Sequence, residues 1–208
     1  MRLGEADPDC LLLADESFVM DRIEALAENA EALDQFLWVD MESSKFTDRT
    51  IDVYLRILEK HPRVGVAIQA YLKRSGADVT RLLDAGARVR LVKGAYRESP
   101  DLVFPSRDGV RRSFSTLMDL LFKHGKGFAI ATHDSRLIDE ARVLSARYGT
   151  DFEFQMLKGI RDDLKPELVA SGLRVAEYIP YGDEWYAYSM RRMKEHPSNV
   201  WLLFRSML

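Results

Sequence analysis

The chain contains little cysteine and little histidine, and both shortages restrict the sites it can build. Its 208 residues include one cysteine, Cys10, so an internal disulfide and a thiolate zinc cluster are excluded and a reducing compartment is favoured. The four histidines, at positions 61, 124, 133 and 196, are too dispersed to form a recognisable metal-binding pattern. We therefore expect a protein without a bound metal.

Neither charge sign predominates, and long apolar runs are lacking. The 30 basic and 33 acidic residues are interspersed and give a net charge of −3, so no basic face for nucleic acid is expected. No apolar run approaches the roughly 20 residues that span a bilayer, and the acidic start MRLGEADPDC does not fit a signal peptide. With 47% apolar residues, the sequence predicts one cytoplasmic domain over residues 1–208.

Short apolar runs alternate with longer amphipathic segments along most of the chain. This alternation is typical of parallel strands joined by helical crossovers. Helical spacing is clearest at 15–33, 48–61 and 77–87, whereas the prolines and glycine in 97–114 predict a long irregular loop. The predicted strands lie at 36–42, 64–71, 88–96, 127–134, 152–159 and 174–182.

Each apolar run ends in polar or ionisable residues. The carboxyl ends of parallel strands open on one face, in a closed barrel and in an open doubly wound sheet alike, but six polar strand ends fit a closed ring better. The sequence therefore predicts an α/β fold of the (βα)8 TIM-barrel type. Such a barrel usually takes about 250 residues, and the first 35 residues offer only a helix and the stub MRLG, so we expect it to be incomplete at the N-terminus.

The third run, RLVKGAY, ends in the cations Arg90 and Lys93, either of which can line the mouth of a twisted strand end. Gly94 follows, and a residue without Cβ lets a flat ligand or a phosphate approach the backbone. A solvated strand end with a surface salt bridge is the alternative. The pattern indicates an anion or cofactor site only in combination with other residues.

Two acids end the first run, where Asp40 and Glu42 flank Met41. Strand alternation places both carboxylates on one face and the methionine on the other. Paired acids suit proton transfer or cation binding, and a salt bridge to a lysine or arginine at the barrel mouth is equally compatible with the spacing. Both interpretations stay open.

Two further motifs carry polar side chains at the same predicted face. In ATHD, His133 suits a base, a ligand or a hydrogen-bonding partner, and the last is favoured because no metal pattern surrounds it. In the last predicted helix, Arg191 and Arg192 are adjacent and Glu195 can brace either guanidinium. Such a fork suits a carboxylate or phosphate, although an exposed basic turn is the commoner meaning of Arg-Arg.

Taken together, these strings resemble the proline dehydrogenase family of flavin-dependent enzymes. The resemblance extends from about Asp40 to Val200 and rests on several motifs in the family's order. It implies a (βα)8 barrel with FAD across the carboxyl ends of the strands and a last helix folded over the ring. The motifs are VDME, IQAYLKR, RLVKGAY, ATHD, FEFQMLKGI, YIPYGDEW and RRMKE.

The position of each residue within these motifs implies its role. Asp40 and Arg90 match catalytic residues, and Arg90 is the one close to the reactive part of the isoalloxazine. Arg191 and Arg192 match the pair that binds the proline carboxylate, and Glu195 matches the acid that orients an arginine. The positions that match FAD contacts are Met41, Gln69, Lys93, Gly94, Ala95, Thr132 and His133. The positions that match the pocket around the proline ring are Tyr96, Leu157 and Tyr178.

The activity that the resemblance implies is oxidation of L-proline to 1-pyrroline-5-carboxylate, in proline catabolism to glutamate. A hydride passes to N5 of FAD and the electrons then pass to a quinone, which implies transient contact between a cytoplasmic protein and the inner membrane face. A homo-oligomer is also compatible. The family's early-strand lysine has no matching Ser-Val-Lys string here, and Arg2 is our candidate for its place.

Two alternatives stay open. One is a remnant or subunit that needs a partner chain to complete its barrel, favoured by the short N-terminal part and disfavoured by the full set of motif residues. The other is a lyase that forms a Schiff base through Lys93, as lysines in barrels can do.

Overall fold

The computed structural model describes residues 16–179 and Gly182, in which helices alternate with six strands. The strands are β1 Leu37–Val39, β2 Val64–Gln69, β3 Arg88–Val92, β4 Phe128–Ala131, β5 Phe152–Leu157 and β6 Arg174–Tyr178. The helices are α1 Glu16–Ala32, α2 Thr47–Leu58, α3 Ser75–Asp84, α4 Arg107–His124, α5 Ser135–Tyr148 and α6 Lys165–Ala170, and a 3₁₀ turn covers Ser44–Phe46.

All six strands pair in parallel and in chain order, β1 to β6, in a curled half-barrel sheet. Each observed strand lies inside a predicted apolar run, and the predicted helices at 15–33 and 48–61 are confirmed. The third predicted helix begins and ends earlier than expected, at Ser75 and Asp84. The α/β barrel-type architecture expected from the sequence is therefore confirmed.

One prediction is wrong, because residues 107–114 are helical rather than part of a loop. Helix α4 begins at Arg107, and the hydroxyl of Ser106 accepts a hydrogen bond from the backbone N–H of Gly109. This cap satisfies a backbone donor of the first turn, and burial of Phe114 further along the helix outweighs the low helix propensity of glycine. The irregular chain between β3 and α4 therefore covers residues 93–106.

The helices pack on one side of the sheet, which we call the outer face, and the opposite side is the inner face. Strand pairing separates the two faces along β3, because Arg90 lies beside Ala67 and Ala129, whereas Leu91 lies beside Ile68 and Ile130. The leucine and both isoleucines belong to the core, together with apolar side chains of the helices. The helices therefore cover one face of the strands and leave the other for a site.

An aromatic cluster and a buried tyrosine stabilise the outer face. Phe122 of α4 packs against Phe128 and Phe152 at centroid distances of 4.9 Å. The hydroxyl of Tyr54 donates to the carbonyl of Val64 at 3.3 Å and accepts from the backbone N–H of Arg88 at 3.2 Å, so it links α2 to the beginnings of two strands. Burial raises the pKa of Tyr54 to about 12.

No described helix combines the length and the apolar composition that a membrane-spanning segment needs.

Candidate functional site

The inner face and the carboxyl ends of the strands hold the described candidate residues. On the inner face, the buried residues Ala67 and Ala129 flank Arg90, and Ala176 lies beside Gln155. The long polar side chains of this face therefore stand between small ones, toward the carboxyl ends of the strands. This is the location at which barrel enzymes build their active sites.

The two predicted catalytic residues form an ion pair. Arg90 donates through Nη1 to Oδ1 of Asp40, and the guanidinium is largely buried at 13% side-chain exposure, whereas the carboxylate is half exposed. Cζ of Arg90 also lies 5.6 Å from the ring centroid of Tyr178 on β6. Among the described residues, Nε of Arg90 is a buried donor without a hydrogen-bond partner. The ion pair therefore leaves donor capacity of Arg90 unused at the mouth.

The chain after β1 places the neighbouring acid, Glu42, at the same mouth. These residues lie beyond the last strand residue, Val39, yet the expected alternation holds because Met41 points into the core at 6% exposure. The Glu42 carboxylate accepts from the hydroxyl of Tyr96, and its backbone carbonyl accepts from Nε2 of Gln69 at 2.7 Å. Burial raises the pKa of the Glu42 carboxyl above its usual value, although the hydrogen bond from Tyr96 opposes this shift.

The turn after β3 carries three predicted cofactor contacts, Lys93, Gly94 and Ala95. Lys93 and Ala95 are exposed, and the Lys93 carbonyl accepts from the backbone N–H of Tyr71 at 3.0 Å. Gly94 has φ +101°, and a Cβ at this position would come within 2.2 Å of the Tyr71 ring. The close approach between the turn and Tyr71 therefore requires glycine.

Two more predicted cofactor contacts, Thr132 and His133, follow β4. The hydroxyl of Thr132 accepts from the backbone N–H of Asp134, which itself caps helix α5. Nε2 of His133 accepts from the backbone N–H of Leu157 at 2.9 Å, so this nitrogen is unprotonated and a neutral ring carries its proton on Nδ1. The hydrogen-bonding role favoured for His133 is therefore what the geometry provides.

Lys165 connects the ends of the last two described strands. Its buried ammonium donates to the carbonyl of Leu157 at 2.8 Å, to Asp162 and to Glu177, the residue before Tyr178. Burial lowers the pKa of Lys165, but the hydrogen bonds to the two carboxylates outweigh this effect and leave the pKa raised. Lys165 thus contacts Leu157, which is predicted for the substrate pocket, and the residue that precedes Tyr178, which is predicted for the same pocket.

The predicted residues therefore separate into a group at the mouth and a group outside the described residues. Arg191, Arg192 and Glu195, together with Arg2, fall outside them. No group of three or more potential metal ligands occurs among the described residues. The positions at the mouth are Asp40, Met41, Gln69, Arg90, Lys93, Gly94, Ala95, Tyr96, Thr132, His133, Leu157 and Tyr178.

Sequence reasoning missed the residues that support this group. Tyr71 packs under Gly94, and Arg161 donates to the carbonyl of His133 at 3.3 Å and to the hydroxyl of Ser135 at 2.8 Å. Tyr71 lies in the motif IQAYLKR at the end of β2, so an aromatic residue at a polar strand end was an available signal. Arg161 and Lys165 lie in an irregular segment and at a helix start, where no periodic pattern distinguishes them.

Comparison with known proteins identifies the family of the chain. The Proline dehydrogenase family profile matches residues 4–202. Proline dehydrogenase 1 of Bacillus subtilis strain 168 is 35% identical over 196 residues, which are 93% of this chain and 65% of that protein. Proline dehydrogenase of Deinococcus radiodurans is 39% identical over 178 residues, which are 83% of this chain and 57% of that protein.

A crystal structure of mutant Proline Utilization A (PutA) from Bradyrhizobium japonicum shares the fold, with a TM-score of 0.78 and 25% identity. The similarity covers 89% of this chain and 22% of that one. The chain thus spans less than two thirds of the length of the curated relatives named here. Because the family profile matches nearly the whole chain, the chain belongs to the proline dehydrogenase family.

Proposed function

We propose that the protein oxidises L-proline to 1-pyrroline-5-carboxylate with FAD as its redox cofactor, and that residues 1–208 act in this reaction as one domain. The observation that carries the proposal is the meeting of Asp40, Arg90 and Tyr178 at one mouth, beside the turn that holds Lys93. Membership of the proline dehydrogenase family supports the same reaction.

The residues at the mouth fit a flavin. A reduced flavin ring is anionic, so it is stabilised by cations near its pyrimidine edge. Arg90 offers a buried Nε without a hydrogen-bond partner among the described residues, and Lys93 offers an exposed ammonium beside a glycine. FAD, when bound, supplies the hydride acceptor at its N5 atom. We propose that the residues holding it are Met41, Gln69, Lys93, Gly94, Ala95, Thr132 and His133.

The other candidate residues serve the substrate. We propose that Tyr96, Leu157 and Tyr178 enclose the apolar ring of proline and exclude water from it, which favours a neutral amine. Arg191 and Arg192 would bind the carboxylate bidentately, with Glu195 bracing one guanidinium, and so fix the carbon to be oxidised. Asp40 orients Arg90 through the ion pair.

The fate of the electrons follows from the family resemblance alone. We propose a quinone as their acceptor, reached by transient contact of a cytoplasmic protein with the inner membrane face. The Schiff-base alternative is less well supported, because lysines that form Schiff bases are activated by an apolar enclosure or a neighbouring cation, whereas Lys93 is exposed.

Flavin content and proline oxidation by this chain test the proposal. A yellow protein with a flavin spectrum that reduces an artificial electron acceptor in the presence of L-proline is expected. Replacement of Arg192 by methionine should raise the KM for proline strongly and leave flavin content unchanged, whereas Arg112→Met, at an exposed position of α4, should alter neither. A colourless protein that fails to take up added FAD would contradict the proposal.

A further inference from the structure

The side chain of Tyr96 needs contacts with other residues to keep one conformation. It lies in the irregular segment after β3, and 39% of it is exposed. A half-exposed aromatic ring in irregular chain adopts several rotamers unless a contact selects one, and ordering a side chain costs conformational entropy. A residue that borders a substrate pocket must nevertheless present the same ring face each time.

Two contacts hold Tyr96, at its two ends. Its hydroxyl donates to Oε2 of Glu42, and its backbone N–H donates to the hydroxyl of Tyr71. The first contact fixes the direction of the ring, and the second fixes the backbone from which the ring projects. Glu42 and Tyr71 come from the segments after β1 and β2, so the ring of Tyr96 is held by the segments after two other strands.

Glu42 is itself held firmly enough to act as an anchor. The preceding side chain, Met41, is buried in the core. The Glu42 carbonyl accepts from Nε2 of Gln69, a residue with only 3% exposure at the end of β2. The backbone on either side of the carboxylate is therefore fixed, and a fixed acceptor can select one rotamer of its partner.

The other roles open to Glu42 are not supported. Asp40, which the spacing pairs with it, is engaged by Arg90. No group of three or more potential cation ligands that includes Glu42 exists within residues 16–179. Within the part of the chain that the structure describes, the hydrogen bond given for the carboxylate is the one from the hydroxyl of Tyr96.

We propose that Glu42 is a positioning residue that holds the ring of Tyr96 at the wall of the substrate pocket, and that it takes no proton from the substrate. The proposal rests on the proposed function for the identity of the substrate, but the contact itself is independent of it. Since hydrogen-bond acceptance is what matters, a neutral acceptor of the same shape should replace the carboxylate.

Four variants in the full chain test this role: Glu42→Ala, Glu42→Gln, Tyr96→Phe and the double variant Glu42→Ala/Tyr96→Phe. Glu42→Ala and Tyr96→Phe should each raise the KM for proline by about tenfold, the effect of one lost hydrogen bond. We expect kcat and flavin content to stay within about threefold and the double variant to be no worse than either single one, because the two share one interaction. Glu42→Gln should restore the KM, and Glu59→Ala, at an exposed position, should leave it unchanged.

A loss of activity in Glu42→Gln as large as in Glu42→Ala would show that the charge matters and would overturn the proposal. Additive effects in the double variant would overturn it too. Equal losses of flavin and of proline affinity in Glu42→Ala would indicate a general structural defect and would likewise count against it.

Fluorine NMR of protein that carries fluorotyrosine tests the contact without any activity. The Tyr96 signal, assigned by its disappearance in Tyr96→Phe among the eight tyrosines of the chain, should shift or broaden in Glu42→Ala and stay near its place in Glu42→Gln. If the wild-type protein neither binds flavin nor oxidises proline, the proposed function fails while this signal still decides whether Glu42 holds Tyr96. An unmoved signal in Glu42→Ala would overturn the proposal whatever the activity.

Discussion

The two faces of the same sheet differ in what their side chains do. On β5, Phe152, Phe154 and Met156 point to the outer face and are buried, while the alternate residues Glu153 and Gln155 are only partly buried on the inner face. The outer face has the apolar contacts that stabilise the fold. The inner face keeps polar groups in positions where burial would cost free energy unless they were paired. Alternate residues of one strand thus have different roles: those on the outer face stabilise the fold, and those on the inner face supply the polar groups of the candidate site.

The largest expected effect is loss of the outer aromatic cluster. Phe154 is fully buried and lies 5.0 Å from Phe152, centroid to centroid. Phe154→Ala should lower the free energy of unfolding by about 3–5 kcal/mol, because a cavity replaces the ring. Its neighbour Gln155→Ala, on the inner face, should cost less than about 1 kcal/mol. Urea unfolding of both variants measures the difference, and equal losses would contradict the division between the faces.

The converse change removes the central cation of the inner face. Arg90→Met should reduce proline oxidation by about 100- to 1000-fold, as removal of one electrostatic contact at a reacting centre does in other enzymes. Its partner Asp40 is half exposed and can be solvated by water, so the unfolding midpoint should change little. Steady-state rates and urea unfolding check both halves, with Arg88→Met, on the same strand, as the control. If Arg90→Met lowered the stability without lowering the rate, Arg90 would serve the stability of the fold, as the residues of the outer face do.

The hydroxyl of Tyr54, a polar group buried on the outer side of the sheet, gives a further comparison between the two faces. Tyr54→Phe leaves the carbonyl of Val64 and the N–H of Arg88 without their hydroxyl partner, and should cost about 1–2 kcal/mol. Tyr148→Phe is the matched control, because Tyr148 is partly exposed to solvent and the contact of its hydroxyl with Asp119 is long, at 3.5 Å. Thermal unfolding of the two variants compares them, and a negligible loss for Tyr54→Phe would show that water or relaxation satisfies both backbone groups.

The smallest expected effect is a gain in stability when Glu42, an acid at the inner face, is replaced by a neutral residue. Burial raises the pKa of Glu42 in the folded state, so the folded protein binds this proton more readily than the unfolded chain does. Stability is therefore lost as the pH rises from the ordinary glutamate value of 4.5 through the raised value. Glu42→Gln should melt at a higher temperature than the wild type at pH 7 to 8, and the difference should vanish near pH 4.

The control for this pH series is Glu59→Gln, at an exposed position, which removes one surface charge without changing a buried group. Melting temperatures at several pH values give the comparison. A difference between Glu42→Gln and the wild type that grows as the pH falls would contradict the sign.

Much of the fold was predictable, because local patterns determine it. Buried and partly buried residues alternate strictly along β5, and such a pattern is legible in the sequence. The start of α4 was mispredicted because Gly109 and the prolines before it suppress helix propensity, whereas the cap from Ser106 acts through a specific hydrogen bond. Propensity describes an average, and a single cap can outweigh it.

The sequence predicts which residues belong to the candidate site, but it does not predict their contacts. Motif positions indicate that Asp40 and Arg90 belong together, and the structure adds that they form an ion pair with the Tyr178 ring beside it. The supports at Tyr71 and Lys165 depend on packing between segments that are distant in sequence, which no local pattern encodes.

The order of the strands in the sheet also affects how the chain can fold. Among the six described strands, each pairs with its nearest neighbours along the chain, as where Leu37 lies opposite Val64 and Glu153 opposite Arg174. Closing such a pair requires ordering only one intervening helix and its loops, which keeps the entropy of loop closure low. Assembly can therefore advance by one strand and helix at a time, with each completed unit serving as the template for the next.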